Sequence, residues 1–219
     1  MSESAKSVPF TSPKGIARFP KLVTFDEYLG KRFFAVDLIV GSAEAQPMID
    51  AIQGESLKHF EAIKAAAKTP QARKKLETYR IALPYGPETD RETGEETGNI
   101  VFKFKASAFR AGKSKTDPEV PVVIRMFDAF GAPCKADPWG GSVLKVACDL
   151  FAYDNPSAEK YGVSLRIKAV QIITLRSAGA GNAAAYGFEA VEDGFSAAAG
   201  LTPEEAPPLS KDIALDGNF

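Results

Sequence analysis

Four separate stretches between Ile100 and Leu175 alternate apolar and polar residues with a period of two, and this repeat constrains the fold more than any other feature of the chain. A period of two puts successive side chains on opposite faces, so each stretch reads as a β-strand with one buried face. In 100–109, Ile100, Phe102, Phe104 and Ala106 oppose Lys103, Lys105, Ser107 and Phe109. In 122–127, Val122, Ile124 and Met126 oppose Val123, Arg125 and Phe127. In 142–153, Leu144, Val146, Cys148 and Leu150 oppose Lys145, Asp149, Phe151 and Tyr153. In 163–175, Val163, Leu165, Ile167 and Ala169 oppose Ser164, Arg166 and Lys168.

The N-terminal half adds two strands, 15–22 and 32–40, the second rich in β-branched and aromatic residues. A helix is predicted over 47–67, where Ile49, Ile52, Phe60 and Ile63 fall near a 3.6-residue spacing and Pro47 suits a first turn. Thr69-Pro70 interrupts it, and a second helical piece is predicted over 72–79. Residues 84–99, acidic and punctuated by Pro87, Gly94 and Gly98, read as turn. A mainly β chain with about six strands and one helical insertion (45–80) predicts a small antiparallel barrel of OB-fold type, because closure removes exposed sheet edges. The expected domain is 1–176. Residues 177–219, first Ala- and Gly-rich, then Pro-bearing and acidic, have little to bury and are expected to form a flexible tail.

Composition narrows the function. No apolar run approaches the roughly 18–20 residues that span a bilayer, and Met1-Ser2-Glu3-Ser4-Ala5-Lys6 contains no apolar core of a secretory signal. Cys134 and Cys148 are too few for a disulfide framework, and His59 is the sole histidine, so zinc, other metals and cofactors are not expected. A reducing cytosol follows. The net charge of −1 hides a division: residues 1–97 are neutral, 98–176 carry +5 and 177–219 carry −6. A basic body before an acidic tail suggests a binding surface and a segment able to compete for it.

On the face opposite the apolar set, Lys103, Lys105, Arg125, Lys145, Arg166 and Lys168 share a phase with Phe109, Phe127, Phe151 and Tyr153. Cations that track phosphates, interleaved with rings that stack on bases, are what single-stranded nucleic acid requires. Arg110, Lys113 and Lys115 extend this surface into the next loop, and Tyr153 is the best stacking candidate because its hydroxyl tolerates water. The competing reading is an ordinary solvated sheet face on a protein-interaction module.

Other signals carry less. Ala111-Gly112-Lys113-Ser114 echoes the end of a phosphate-binding loop, but Ser107 stands where its first glycine belongs. Gly179-Ala180-Gly181 imitates a dinucleotide fingerprint without the helix and strand that should follow. Glu88, Asp90, Glu92, Glu95 and Glu96 lack calcium-loop spacing and read as a solvated acidic turn. Cys148 reads as core, His59 as structural or surface, and no acid–base or nucleophile constellation emerges, so no enzyme is expected.

Three stretches resemble the replicative single-stranded DNA-binding protein of T-odd short-tailed bacteriophages: Val101-Phe102-Lys103-Phe104-Lys105, Gly140-Gly141-Ser142-Val143-Leu144-Lys145-Val146 on to Tyr153, and Val163-Ser164-Leu165-Arg166-Ile167 on to Leu175. Phe10-Thr11-Ser12, Ala35-Val36-Asp37-Leu38 and the ending Asp216-Gly217-Asn218-Phe219 are also similar. The resemblance implies an OB-fold, single-strand binding in replication and recombination, a homodimer, and work in the cytoplasm of an infected bacterium. It also implies a tail, here Asp212, Asp216 and Phe219, that contacts the phage DNA polymerase and helicase-primase and occupies the DNA groove when DNA is absent. Lys105, Lys145 and Tyr153 match family positions of the DNA surface. Asp154 and Asn155 depart from the basic–aromatic pair that follows the tyrosine in the family, and the tail lacks a long acidic block.

Overall fold

The computed structural model describes residues 7–112 and 117–176. In chain order the elements are β1 (Val8–Thr11), β2 (Gly15–Tyr28), β3 (Lys31–Gly41), α1 (Ser42–Ala66), α2 (Pro70–Leu76), β4 (Arg80–Ala82), β5 (Tyr85–Thr89) and β6 (Glu96–Ser107). They continue with β7 (Phe109–Arg110), β8 (Val120–Pro121), β9 (Arg125–Phe127), β10 (Pro133–Cys134), β11 (Val143–Asn155) and β12 (Lys160–Thr174).

Strands β2, β3, β6, β12 and β11 pair in that order, and β11 pairs back with β2, so the five long strands close into a ring. The order is that of an OB-fold barrel. All of these pairings are antiparallel except β6–β12, which is parallel and brief, Leu165 opposite Phe104 and Arg166 opposite Lys105. Shorter strands cover the rims: β1 lies on β11, β5 on β6, and β4 and β9 run parallel to β12.

Alternation delivers the core. Phe102 and Phe104 from β6, Leu38 and Val36 from β3, Leu144 and Leu150 from β11, and Val163 and Leu165 from β12 are all buried. Each buried side chain of this size contributes about 1.5–3 kcal/mol relative to exposure. Helix α1 buries Ala45, Met48, Ile52, Ser56 and Phe60, a stripe at intervals of three and four, with the first three packed on this cluster and Phe60 stacked on Tyr161. The buried serines Ser12, Ser56 and Ser142 are each hydrogen-bonded. Ser142 Oγ accepts from the Arg176 N–H at 2.9 Å and donates to the Arg176 carbonyl at 3.0 Å. Ser12 Oγ accepts from the Val146 N–H.

Several elements differ from the sequence expectation. Helix α1 begins at Ser42, so Pro47 sits inside the helix rather than in its first turn. Residues 85–89 are a strand rather than turn, because they pair with β6 across a tight connection. There the Asp90 carboxylate accepts the Glu92 and Thr93 N–H groups, and those bonds hold its pKa below the usual carboxylate value. The strand expected over 122–127 is reduced to Arg125–Phe127, since the Val122 N–H turns to the Ala108 carbonyl. In β12 the inward phase breaks after Ile167. Ala147 and Cys148 of β11 face Ala169 and Ile167, so Lys168 is the extra residue of a bulge. Val170 and Ile172 therefore carry the core onward, and Ala169, expected inward, is only half-buried.

Candidate nucleic-acid interface

Register brings the outward residues together. Ala35, Lys105, Arg166 and Asp149 form one continuous row across β3, β6, β12 and β11. Asp37 faces Lys103 two pairs further along, and Tyr153 faces Gly162 near the far end of β11. Lys103, Lys105, Phe109, Arg110, Tyr153, Arg166 and Lys168 line one open groove of about 1210 Å³. Its opposite wall is β3 and the β2–β3 turn, with Tyr28, Lys31, Arg32 and Phe33.

The groove's cations are held in place by rings and acids. The Arg166 guanidinium lies 3.2 Å from the centre of the Phe151 ring, a diagonal neighbour across the β11–β12 pair. Burial lowers the Arg166 pKa, and the nearby Asp149 charge partly opposes that shift; Arg166 stays a cation at any physiological pH. Lys168 Nζ is 3.0 Å from an Asp149 carboxylate oxygen. Lys105 Nζ sits 4.9 Å over Phe33. Arg32 is 3.9 Å over Phe109 and bonds Glu119 at 2.6 Å.

The expected residues divide accordingly. Arg125 lies outside the groove, beside a separate apolar hollow of about 560 Å³ walled by Leu22, Phe34, Ile124, Met126 and Phe127. Lys145 is half-buried on β11 opposite Gln171 and lines neither hollow. Phe151 does not line the groove either, because the Arg166 guanidinium covers it. Lys113, Lys115, Asp212, Asp216 and Phe219 lie outside the described residues. Asp154, an acid next in sequence to Tyr153, lies with a carboxylate oxygen 3.5 Å from His59 Nε2 on α1. Cys148 is a core residue, its thiol pushed up to about 12 by burial and then by Asp149. Among the described residues, no group of three or more His, Cys, Asp or Glu is placed to hold a metal ion. None of the described helices is long and apolar enough to cross a membrane.

The sequence reading missed the β2–β3 wall. Its signal was present: Lys31, Phe33, Ala35 and Asp37 alternate with the inward Phe34, Val36 and Leu38, in the same phase logic as the later strands.

A closed five-strand barrel whose outer face carries cations and rings along a groove has the form of OB-fold oligonucleotide-binding proteins. The family described as single-stranded DNA-binding protein, bacteriophage T7, matches residues 20–175, and the chain belongs to that family. The fold is similar to the crystal structure of gp2.5, a single-stranded DNA-binding protein encoded by bacteriophage T7. That match has a TM-score of 0.59 and 25% identity over 88% of this chain and 100% of that one. It is also similar to the C-terminally truncated single-stranded DNA-binding protein of bacteriophage Enc34, with a TM-score of 0.51 and 10% identity over 81% of this chain and 94% of that one. The Enc34 protein in complex with single-stranded DNA gives a TM-score of 0.50 and 10% identity over 81% and 95%. At 10% identity the likeness concerns the fold alone. No curated protein sequence matches significantly.

Proposed function

We propose that this chain binds single-stranded DNA with little sequence preference and without chemistry of its own, in phage DNA replication. The observation that carries the reading is the convergence of Lys103, Lys105, Arg110 and Arg166 with Tyr153 in one groove of a barrel belonging to this family. The cations hold phosphates, Tyr153 stacks on a base, and neither contact reads sequence. Lys168 lines the same groove, and its pairing with Asp149 holds it back from the phosphates.

The test is fluorescence anisotropy of a labelled oligo-dT and a matched duplex at low and high salt. Tight binding to the single strand alone, weakening with salt, is expected. A folded protein that binds neither leaves the barrel as a protein-interaction module.

Family membership supports the remaining roles: a homodimer acting in the cytoplasm of an infected bacterium, in replication and with a part in annealing and recombination. In this reading Asp212, Asp216 and Phe219 of the tail contact the phage DNA polymerase and helicase-primase. Deleting 212–219 is expected to reduce stimulation of those enzymes while leaving DNA affinity equal or higher.

A further inference from the structure

The β2–β3 hairpin closes with a two-residue turn in which Leu29 has φ +50° and Gly30 φ +72°, while Tyr28 and Lys31 form the last pair. Both central residues are left-handed, as hairpins prefer, but only glycine adopts that conformation without steric penalty. A leucine there is disfavoured by its backbone, and its side chain buries nothing, being 83% exposed. Tyr28 is 68% exposed. Strained backbone and exposed apolar groups at one tip point to a surface kept for contact rather than for stability.

The position of that tip gives the contact its object. Lys31, Phe33 and Ala35 share the outward phase of β3, and Tyr28, directly opposite Lys31, faces the same way. Tyr28, Gly30 and Lys31 line the same groove as Lys105, Arg166 and Tyr153. The row Ala35–Lys105–Arg166–Asp149 crosses its middle. From this row Lys31 lies four residues back along β3, and Tyr153 four residues forward along β11. Strands β3 and β11 run in the same direction through the ring, so the two tyrosines stand at opposite ends. Their separation along the strands is about 26 Å at ~3.3 Å per residue.

We infer that the hairpin tip, with Tyr28 as its stacking ring and Lys31 as its cation, forms the second end of the single-strand groove. It thereby sets how long a strand the groove takes. The inference rests on the single-strand binding proposed above. Bases stack at Tyr153 and Tyr28, and the phosphates between them cross Lys105 and Arg166. A strand too short to reach both rings uses one alone, so affinity should step up once the strand spans both.

The experiment is anisotropy of the full chain with an oligo-dT series from about four to about sixteen nucleotides, the range of OB-fold site sizes. Wild type is compared with Tyr28→Ala, Tyr28→Phe and Tyr153→Ala. Tyr28→Ala should abolish the step, weakening the longer strands about 5- to 150-fold, the range of one base–aromatic stack, and sparing the shortest. Tyr28→Phe, which keeps the ring, should retain the step. Wild-type affinity in Tyr28→Ala at every length overturns the role of the tip and leaves single-strand binding standing. Failure of the wild type to bind any oligonucleotide removes both readings together.

Discussion

Asp149 reaches across the β11–β12 pair to Lys168, its carboxylate oxygen 3.0 Å from Nζ, and so places a negative charge beside the groove's cations. The lysine side chain of this pair is mostly exposed, so the ion pair adds only about 0–1 kcal/mol to folding. Its larger effect is to occupy a cation that would otherwise meet a phosphate. Asp149→Asn is therefore expected to leave the melting temperature nearly unchanged and to tighten oligo-dT binding. It should also steepen the log–log salt dependence by about 0.7, the increment for one more phosphate contact on a single strand. Isothermal or anisotropy titrations across a salt series check this; equal or weaker binding would show that Lys168 does not meet DNA.

Position relative to the groove predicts a contrast among cations that look alike in sequence. Lys105 and Arg166 lie side by side inside it, whereas Arg125 borders the apolar hollow. Lys105→Ala should weaken binding and reduce the salt slope by about 0.7, while Arg125→Ala should leave the slope unchanged. Tyr153→Ala should lose about 1–3 kcal/mol of affinity, one stacked base, with little loss of folding. Salt-series titrations of the three variants decide the matter. A full effect at Arg125 would move the DNA path off the groove.

How much of this was legible in the sequence depended on whether period or register carried the information. Period sufficed for β6 and β11, where Phe102, Phe104, Leu144, Val146 and Leu150 are buried as their alternation requires. It failed just past Lys168, at Ala169, because a bulge inserts a residue without any break in the polar–apolar text. It failed at 85–89, where Pro87 and neighbouring acids read as turn, although β6 supplies a pairing partner that only the tertiary fold reveals. The phase of Phe151 was legible, but only the β11–β12 register shows that Arg166 stands over its ring. The far wall of the groove, Tyr28 on β2 and Lys31 on β3, lies beyond the strands expected at 15–22 and 32–40, because the pairing that extends both to the hairpin turn shows only in the register.

Gly162 sits where β4 runs against β12, and a Cβ built there would lie 2.2 Å from the Ala82 carbonyl oxygen. Backbone cannot yield as a flexible side-chain end can, so Gly162→Ala must push β4 off its partner. A loss of about 1–3 kcal/mol is expected, as for other overpacked sites. Gly162 is also the register partner of Tyr153, so oligo-dT affinity should fall with it. Urea unfolding and anisotropy on the same variant measure both; wild-type stability would show that β4 is not fixed by this contact.

Cys148 links the core to alkaline stability. Burial, and then the adjacent Asp149, push its thiol from 9.0 up to about 12 in the folded chain. The native state therefore keeps the proton that the unfolded state releases between those two values. With more protons bound in the native state, stability falls as pH rises through this window, by at most about 1.4 kcal/mol per pH unit for one proton. Below pH 9 the contribution is fully present. Cys148→Ala removes this titration while costing some packing, so its unfolding free energy should start lower and decline less steeply between pH 9 and 10.5. Parallel slopes in the two proteins, measured by urea unfolding, would mean that the thiolate is tolerated in the fold and that another group governs the alkaline limit.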